Sequence, residues 1–359
     1  MSKRIDELNI SPSRVIAGFG ALAGLGPLTA SFGEQVLIVG GEKSFPLVKE
    51  EVERSLAEAG VAHFFSTYGR DSSRDSVFRL VKMAAKARAI VGIGGGKALD
   101  TAKMVAHHSG LPVLTVPTSP ATCACWSALS NEYSEEGAWQ ETVLHAPPAV
   151  LLLDYEIVGK APDRLFASGI ADALAKWYEG RTATVNCEDL SVKTAMQIAD
   201  LLKKELFKLS AKVLQSPELG QDRIDAIDAA IRLPGLIGGI GGEKCRTVAA
   251  HALCNTLTNF PGFEKSLHGE KVGFGILVQL LLEEAPPSEI TELFSFFRSI
   301  RLPLTLKELG FSPELAGDIA LRCCETQSSL RNLPFPVYPG ALARAIRLAD
   351  SFSLQSLRT

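Results

Sequence analysis

A chain of 359 residues exceeds what one hydrophobic core usually serves, so two domains are expected. Its 46% apolar and 21% charged residues are the balance of a soluble globular protein, with no run near the ~18 apolar residues of a membrane span. The net charge of −3 gives no general attraction to nucleic acid or to an anionic membrane, and residues 1–10 are polar, without a signal-peptide core.

The first half alternates strand and helix signals. Residues 35–39 (Gln-Val-Leu-Ile-Val) read as a strand closed by Gly40 and Gly41. Residues 46–59 read as a helix: Pro46 suits a first helical position, Val48, Val52, Leu56 and Ala59 follow at helical spacing, and Gly60 stops it. Residues 61–66 are a weaker strand, and 74–88 a helix with Ser72 and Ser73 as candidate N-caps. Residues 89–93 form a strand, followed by glycines and a helix to about His108. Residues 111–116 and 149–154 are further strands. Near-continuous apolar strands alternating with helices imply a parallel sheet with right-handed crossovers. Beyond about Pro162 only helical signals remain, over 165–181, 189–209, 221–233, 247–257, 269–284, 288–299, 313–326 and 340–354. The expected division is an α/β domain at 1–158 and an all-helical domain at 159–359.

The apolar run ending in Gly94-Gly95-Gly96-Lys97-Ala98 opens directly into a helix. Backbone N–H groups there can approach a ligand closely, and the helix start offers unpaired donors and a positive dipole end, which suits a pyrophosphate. A tight strand-to-helix turn is the alternative. Ala98 stands where a P-loop needs Ser or Thr, and Lys97 where the Rossmann pattern needs its third glycine.

Seven cysteines, an odd number without CxxC spacing, indicate neither a disulfide framework nor a zinc finger, so reduced thiols in a cytosol are expected. Of six histidines, His63, His107, His108 and His145 read as surface or packing residues. His251 lies in an apolar helix and His268 at the start of another. Asp172 lies in a helix of small and apolar residues, where a carboxylate is costly unless it is paired or bound to metal. Its alternatives are an ion pair with Lys176, one turn on, or membership with His251 and His268 of one catalytic metal site with an open position.

Five segments together resemble the glycerol dehydrogenase branch of the iron-containing (group III) alcohol dehydrogenase superfamily: Gly94 to Lys103, Val116-Pro117-Thr118, Ser127-Ala128-Leu129-Ser130, Gly169 to Glu179, and His268-Gly269-Glu270-Lys271-Val272. The resemblance runs through nearly the whole chain, with the motifs in order. It implies a dehydroquinate synthase-like architecture, a dinucleotide-binding α/β domain followed by a helical one, with the active site in the cleft between them. It implies that Gly94, Gly95, Gly96, Lys97 and Asp100 hold the pyrophosphate of NAD or NADP, and that Thr118, Ser119, Ser127, Leu129 and Tyr133 line the cofactor site. Asp172, His251 and His268 would bind one divalent metal, usually zinc, for hydride transfer between nicotinamide and a small alcohol or carbonyl carbon. A cytoplasmic homo-oligomer is implied as well.

The chain departs from that pattern. Cys123 replaces an aspartate that contacts glycerol, with Trp126 adding bulk nearby. This gives the chain a likeness to a subgroup that reduces 2-oxo acids to hydroxycarboxylates. Such a substrate needs a cation: Arg246 is the candidate, its alternative being a surface arginine at a helix start. Cys254 replaces a second histidine and reads as a buried neutral thiol, with thiolate ligation the alternative. Gly40 or Gly41 stands where an acid normally binds the adenosine ribose, which leaves room for a 2′-phosphate with Lys43 as partner. Two other functions fit the same architecture: a metal-dependent cyclase resembling dehydroquinate synthase, which needs a cluster of basic residues not evident in the helical half, and a non-catalytic nucleotide-binding protein.

Overall fold

The computed structural model describes residues 9–216 and 218–352. In chain order, β1 (Arg14–Gly18), α1 (Leu25–Ala30), β2 (Gln35–Gly40), α2 (Lys49–Glu58), β3 (Ala62–Thr67), α3 (Arg74–Met83), β4 (Ala89–Gly94), α4 (Gly96–Ser109) and β5 (Val113–Pro117) begin the fold. A hairpin, β6 (Leu129–Tyr133) and β7 (Trp139–Leu144), precedes β8 (Val150–Asp154). The remainder is helical: α5 (Tyr155–Gly159), α6 (Asp163–Ala183), α7 (Leu190–Val213), α8 (Gln221–Gly241), α9 (Ala249–Leu257), α10 (His268–Leu282), α11 (Pro287–Ser299), α12 (Leu306–Leu309), α13 (Ala316–Thr326) and α14 (Pro339–Ser351). Among the described residues, no helix is long and apolar enough to cross a membrane.

Six strands form one parallel sheet in the order β1-β8-β5-β4-β2-β3. Their side chains alternate between its faces. Val36 and Ile38 of β2 enter one cluster and Leu37 and Val39 another, while Leu151 and Leu153 of β8 join the large cluster of the helical half. The expected strands are all present. Sequence periodicity missed β1, which pairs in register with β8, and the β6–β7 hairpin, whose half-exposed strands carry no apolar run.

Helix boundaries also shift. The run at 46–59 begins with a 3-10 turn at Phe45–Leu47, and that at 74–88 ends in another at Ala84–Lys86. Ser73 caps α3 by accepting from the Ser76 N–H at 3.3 Å. The expected stop at residue 233 is overrun: α8 continues through a buried Pro234 to Gly241.

The sheet's strand order reverses between β2 and β4, and a ligand crevice belongs at the carboxyl ends of strands at such a point. Gly40 of β2 pairs with Ile93, and Gly94 of β4 with Pro117, so these strand ends finish level. In the helical half α6 is central, packing on α7, α8 and α10.

Candidate metal centre and nucleotide cleft

The loops after β2, β4 and β5 open into a cleft of about 1940 Å³ whose opposite wall is made by α6, α8, α9 and the start of α10. Gly95, Gly96, Lys97, Asp100, Thr118, Ser119, Ser127, Leu129 and Tyr133 all line it, and so do Cys123, Asp172, Arg246, His251 and His268. Gly94 stands beneath the loop instead. Its φ of +146° lies where side chains are strained, and a Cβ there would sit 2.8 Å from the Ser44 hydroxyl. Gly95 caps α4 in an extended conformation, so the first N–H groups of the helix face the cleft.

Two of the polar side chains around this loop are already committed. Lys97 Nζ lies 2.7 Å from the buried Asp71 carboxylate. Asp100 accepts from the Asn131 N–H at 3.1 Å and pairs with the fully buried Lys103 at 3.0 Å. Lys103 in turn donates to the Leu129 carbonyl at 2.5 Å and the Ser127 carbonyl at 3.2 Å. Asp100 and Lys103 therefore anchor the hairpin that carries Ser127, Leu129 and Tyr133. Lys103 closes the glycine-loop motif, and its burial against the hairpin gives it this role.

Three helices bring the candidate ligands together. Asp172 lies on α6, His251 in the first turn of α9, and His268 is the first residue of α10. Close packing sets their approach. A Cβ on Gly269 would lie 1.8 Å from the Ser168 carbonyl oxygen, so only glycine lets α10 begin against α6. The Gly269 N–H then donates to Ser168 Oγ at 3.1 Å. Gly169 meets the Pro120 carbonyl with the same 1.8 Å overlap, which seats the loop carrying Cys123 on α6 near Asp172.

The result is a tight cluster. Asp172 Oδ1 is 3.3 Å from His251 Nε2 and 3.4 Å from His268 Nε2, and the three donor atoms lie within 4.8 Å of one another. Asp172 and His251 are nearly buried, and His268 is 29% exposed, on the cleft side. Two imidazole nitrogens and a carboxylate oxygen are a donor set suited to a divalent metal with a position left open.

Glu179 decides how His251 is oriented. It lies two turns after Asp172 on the same face of α6, fully buried. One oxygen accepts from the Val248 and His251 N–H groups at 2.6 and 3.0 Å, and the other lies 2.5 Å from His251 Nδ1. A carboxylate only accepts, so Nδ1 carries the proton. A neutral His251 then presents an Nε2 lone pair to the Asp172 oxygen, and two acceptors at 3.3 Å repel unless a cation lies between them. Without a metal the cluster holds protons instead. Burial would lower the His251 imidazole, but the Glu179 and Asp172 carboxylates outweigh it and push it up to about 9. Burial would likewise raise the Asp172 carboxyl, and the two imidazoles overcome it and hold it well below the usual carboxylate range. The sequence signal for Glu179 was its spacing from Asp172 on an apolar helix.

Other expectations need correction. Lys176 is not the partner of Asp172: its Nζ donates to the Arg246 carbonyl at 2.9 Å. Arg246 is not a surface residue at a helix start, since it is half-buried on the cleft wall ahead of α9. Trp126 packs on Gly235 of α8, with its Nε1 donating to the Ile10 carbonyl at 3.1 Å. Cys254 is buried, its Sγ 3.4 Å from His268 Nδ1, on the side of the ring away from Asp172. Glu42, Lys43 and Ser44 line the cleft where β2 ends. All seven cysteines are free.

The chain is similar to known proteins along its length. The family of iron-containing alcohol dehydrogenases matches residues 12–155. A glycerol dehydrogenase of Escherichia coli is 33% identical, over 99% of this chain and 99% of its own. Hydroxycarboxylate dehydrogenase A of Escherichia coli is 36% identical, over 73% of this chain and 75% of its own. The crystal structure of glycerol dehydrogenase from Schizosaccharomyces pombe superposes with a TM-score of 0.89 at 26% identity, covering 99% of this chain and 94% of that one. Similarity sustained along the entire length makes this chain a member of the iron-containing alcohol dehydrogenase family, an oxidoreductase of its glycerol dehydrogenase branch.

Proposed function

We propose that this protein moves a hydride between a nicotinamide cofactor and a small alcohol or carbonyl compound, at one zinc ion held by Asp172, His251 and His268. The observation that carries this reading is the convergence of three ligand atoms within 4.8 Å on the wall of the cleft that faces the glycine loop. When bound, the metal supplies Lewis-acid polarisation of the substrate oxygen, and the nicotinamide supplies or accepts the hydride. With both bound, reduction would place the hydride on the carbonyl carbon and a proton on its oxygen, the nicotinamide being oxidised in turn.

The chain's own residues bind and orient. Gly95, Gly96 and the start of α4 offer N–H groups to the pyrophosphate. Thr118, Ser119, Ser127, Leu129 and Tyr133 line the cofactor's path towards the cluster. Glu179 keeps the Nε2 of His251 turned to the metal. Residues 1–158 serve the nucleotide and residues 159–359 the metal, with catalysis between them. Both NAD and NADP fit this reading: β2 ends in glycine, and Lys43 on the cleft wall gives a 2′-phosphate a cation beside Glu42. A cytoplasmic homo-oligomer completes it.

The test is nicotinamide absorbance with zinc-loaded protein, NADH or NADPH, and a panel of dihydroxyacetone, simple aldehydes and 2-oxo acids. Turnover that a chelator abolishes and zinc restores is expected. Silence across the panel, with one zinc bound per chain, overturns the proposal.

A further inference from the structure

The helical wall of the cleft carries an ammonium that the chemistry above leaves idle. Lys176 lies one turn beyond Asp172 on the same face of α6 and lines the cleft, and it is only 9% exposed. Among the described residues its Nζ has one hydrogen-bond acceptor, the Arg246 carbonyl at 2.9 Å. An ammonium has three N–H groups to place, so the others are left to whatever fills the cleft.

No carboxylate of the described residues lies within ion-pair distance of that ammonium, because the two acids on its helix face are engaged elsewhere. Asp172 meets His251 and His268 at 3.3 and 3.4 Å. Glu179, three residues further on, gives one oxygen to the Val248 and His251 N–H groups and the other to His251 Nδ1. The Arg246 side chain goes to the Gly238 carbonyl, to which its Nε donates at 3.4 Å. A buried charge without a counter-charge is costly, and a ligand oxygen that completes its shell is bound the more strongly for it.

Lys176 also borders the volume into which the candidate metal centre opens. Asp172, Lys176, Cys123 and His251 all line the cleft. Burial pushes the Cys123 thiol up to about 11, and the charges of Lys176 and Asp172 act on it in opposite directions, so a neutral thiol stands beside both. With a divalent ion at the three ligands, that ion and the ammonium together outweigh the charges of Asp172 and Glu179 by one. A neutral carbonyl leaves this excess standing, whereas an oxygen that acquires negative charge cancels it. Such a site favours the transition state over the bound carbonyl compound.

We infer that Lys176 is a further catalytic residue of this site, whose unspent N–H groups donate to the reacting oxygen of the substrate and stabilise the negative charge that develops there as the carbon receives hydride. The inference rests on the dehydrogenase reading and adds a residue to it.

The experiment uses zinc-loaded wild type, Lys176→Met, Lys176→Gln and Lys176→Arg, with whichever of dihydroxyacetone, propanal and 2-oxobutanoate the wild type reduces fastest. Lys176→Met removes the ammonium and keeps an unbranched stem. Lys176→Gln removes the charge and keeps an N–H for the Arg246 carbonyl. Both are expected to lose about 100-fold in kcat with KM changed by less than about 3-fold, and Lys176→Arg, which keeps the charge, about 10-fold. 2,2,2-Trifluoroethanol, an acidic alcohol whose electron-poor carbon resists giving up hydride, is titrated calorimetrically into the zinc- and NAD+-loaded proteins. Its affinity should fall about 10-fold or more in both neutral variants. Zinc affinity, measured by chelator competition, should not weaken in either, since the group removed is a cation. Wild-type kcat and trifluoroethanol affinity in Lys176→Gln would overturn the inference and leave the dehydrogenase standing. Zinc affinity falling in step with kcat in the neutral variants would make Lys176 a prop for the turn before α9 and overturn it equally. Should Lys176→Met not fold, Lys176→Gln carries the same comparison. A wild type silent on every carbonyl compound sinks both readings.

Discussion

At the scale of single residues, the cluster on α6, α9 and α10 makes distinct demands on each member. Asp172 brings the negative charge, so Asp172→Asn should leave less than about a tenth of the zinc bound after gel filtration and lower activity by about 10³-fold or more. Metal analysis and the absorbance assay check this together. Glu179 touches no substrate, and its part is to orient. Glu179→Gln keeps the shape and removes the charge that favours Nδ1–H on His251. We expect zinc affinity to fall by about 10-fold, measured by chelator competition, with kcat near wild type once zinc is saturating. Lys43 belongs to the other end of the cleft. Lys43→Ala should raise KM for NADPH about 10-fold and leave KM for NADH unchanged, since only NADPH carries the phosphate that the ammonium would meet.

At the scale of elements, the site depends on helices that touch backbone to backbone. Gly269→Ala would drive a Cβ into the Ser168 carbonyl oxygen, 1.8 Å away, and α10 would have to move off α6. The expected cost is about 3 kcal/mol of stability, read from the urea midpoint, with weaker zinc binding because His268 moves with its helix. The hairpin is the second such element. Asp100 and Lys103 of α4 hold β6 from below, and the Trp139 N–H donates to Thr258 Oγ1 of the helical half at 2.8 Å. The hairpin thus ties the nucleotide side of the cleft to the metal side.

At the scale of the whole molecule, one buried histidine sets part of the acid limit. His145 lies beneath the hairpin, 2.8 Å from the Ser130 hydroxyl, and burial together with Lys103 holds its imidazole down to about 4. Unfolded, the same ring takes a proton near its ordinary value of 6.5. Between these values the unfolded chain binds more protons, so stability rises with pH through the window and is complete above 6.5. About 3 kcal/mol should be lost on going from pH 7 to below 4, and His145→Gln should flatten that slope in urea titrations at stepped pH.

Read from its sequence, this protein is already an α/β chain with a glycine loop and a long helical remainder. Parallel strands buried on both faces must be apolar runs, so β2, β4, β5 and β8 are visible without a structure. Apolar stretches of helical length likewise mark α6, α9 and α10 as buried helices, so the polar residues at 172, 251 and 268 stand out within them. Local pattern says nothing of strands whose side chains are half exposed, so β1 and the β6–β7 hairpin depend on their partners. It is equally blind to which buried acid meets which base. Helical spacing offered Lys176 to Asp172, and the packing of Gly269 and Gly169 gave Asp172 two imidazoles instead. The role of Glu179 arises in the same way, because convergence of side chains from separate helices is fixed by backbone contacts between elements and leaves no period in the sequence.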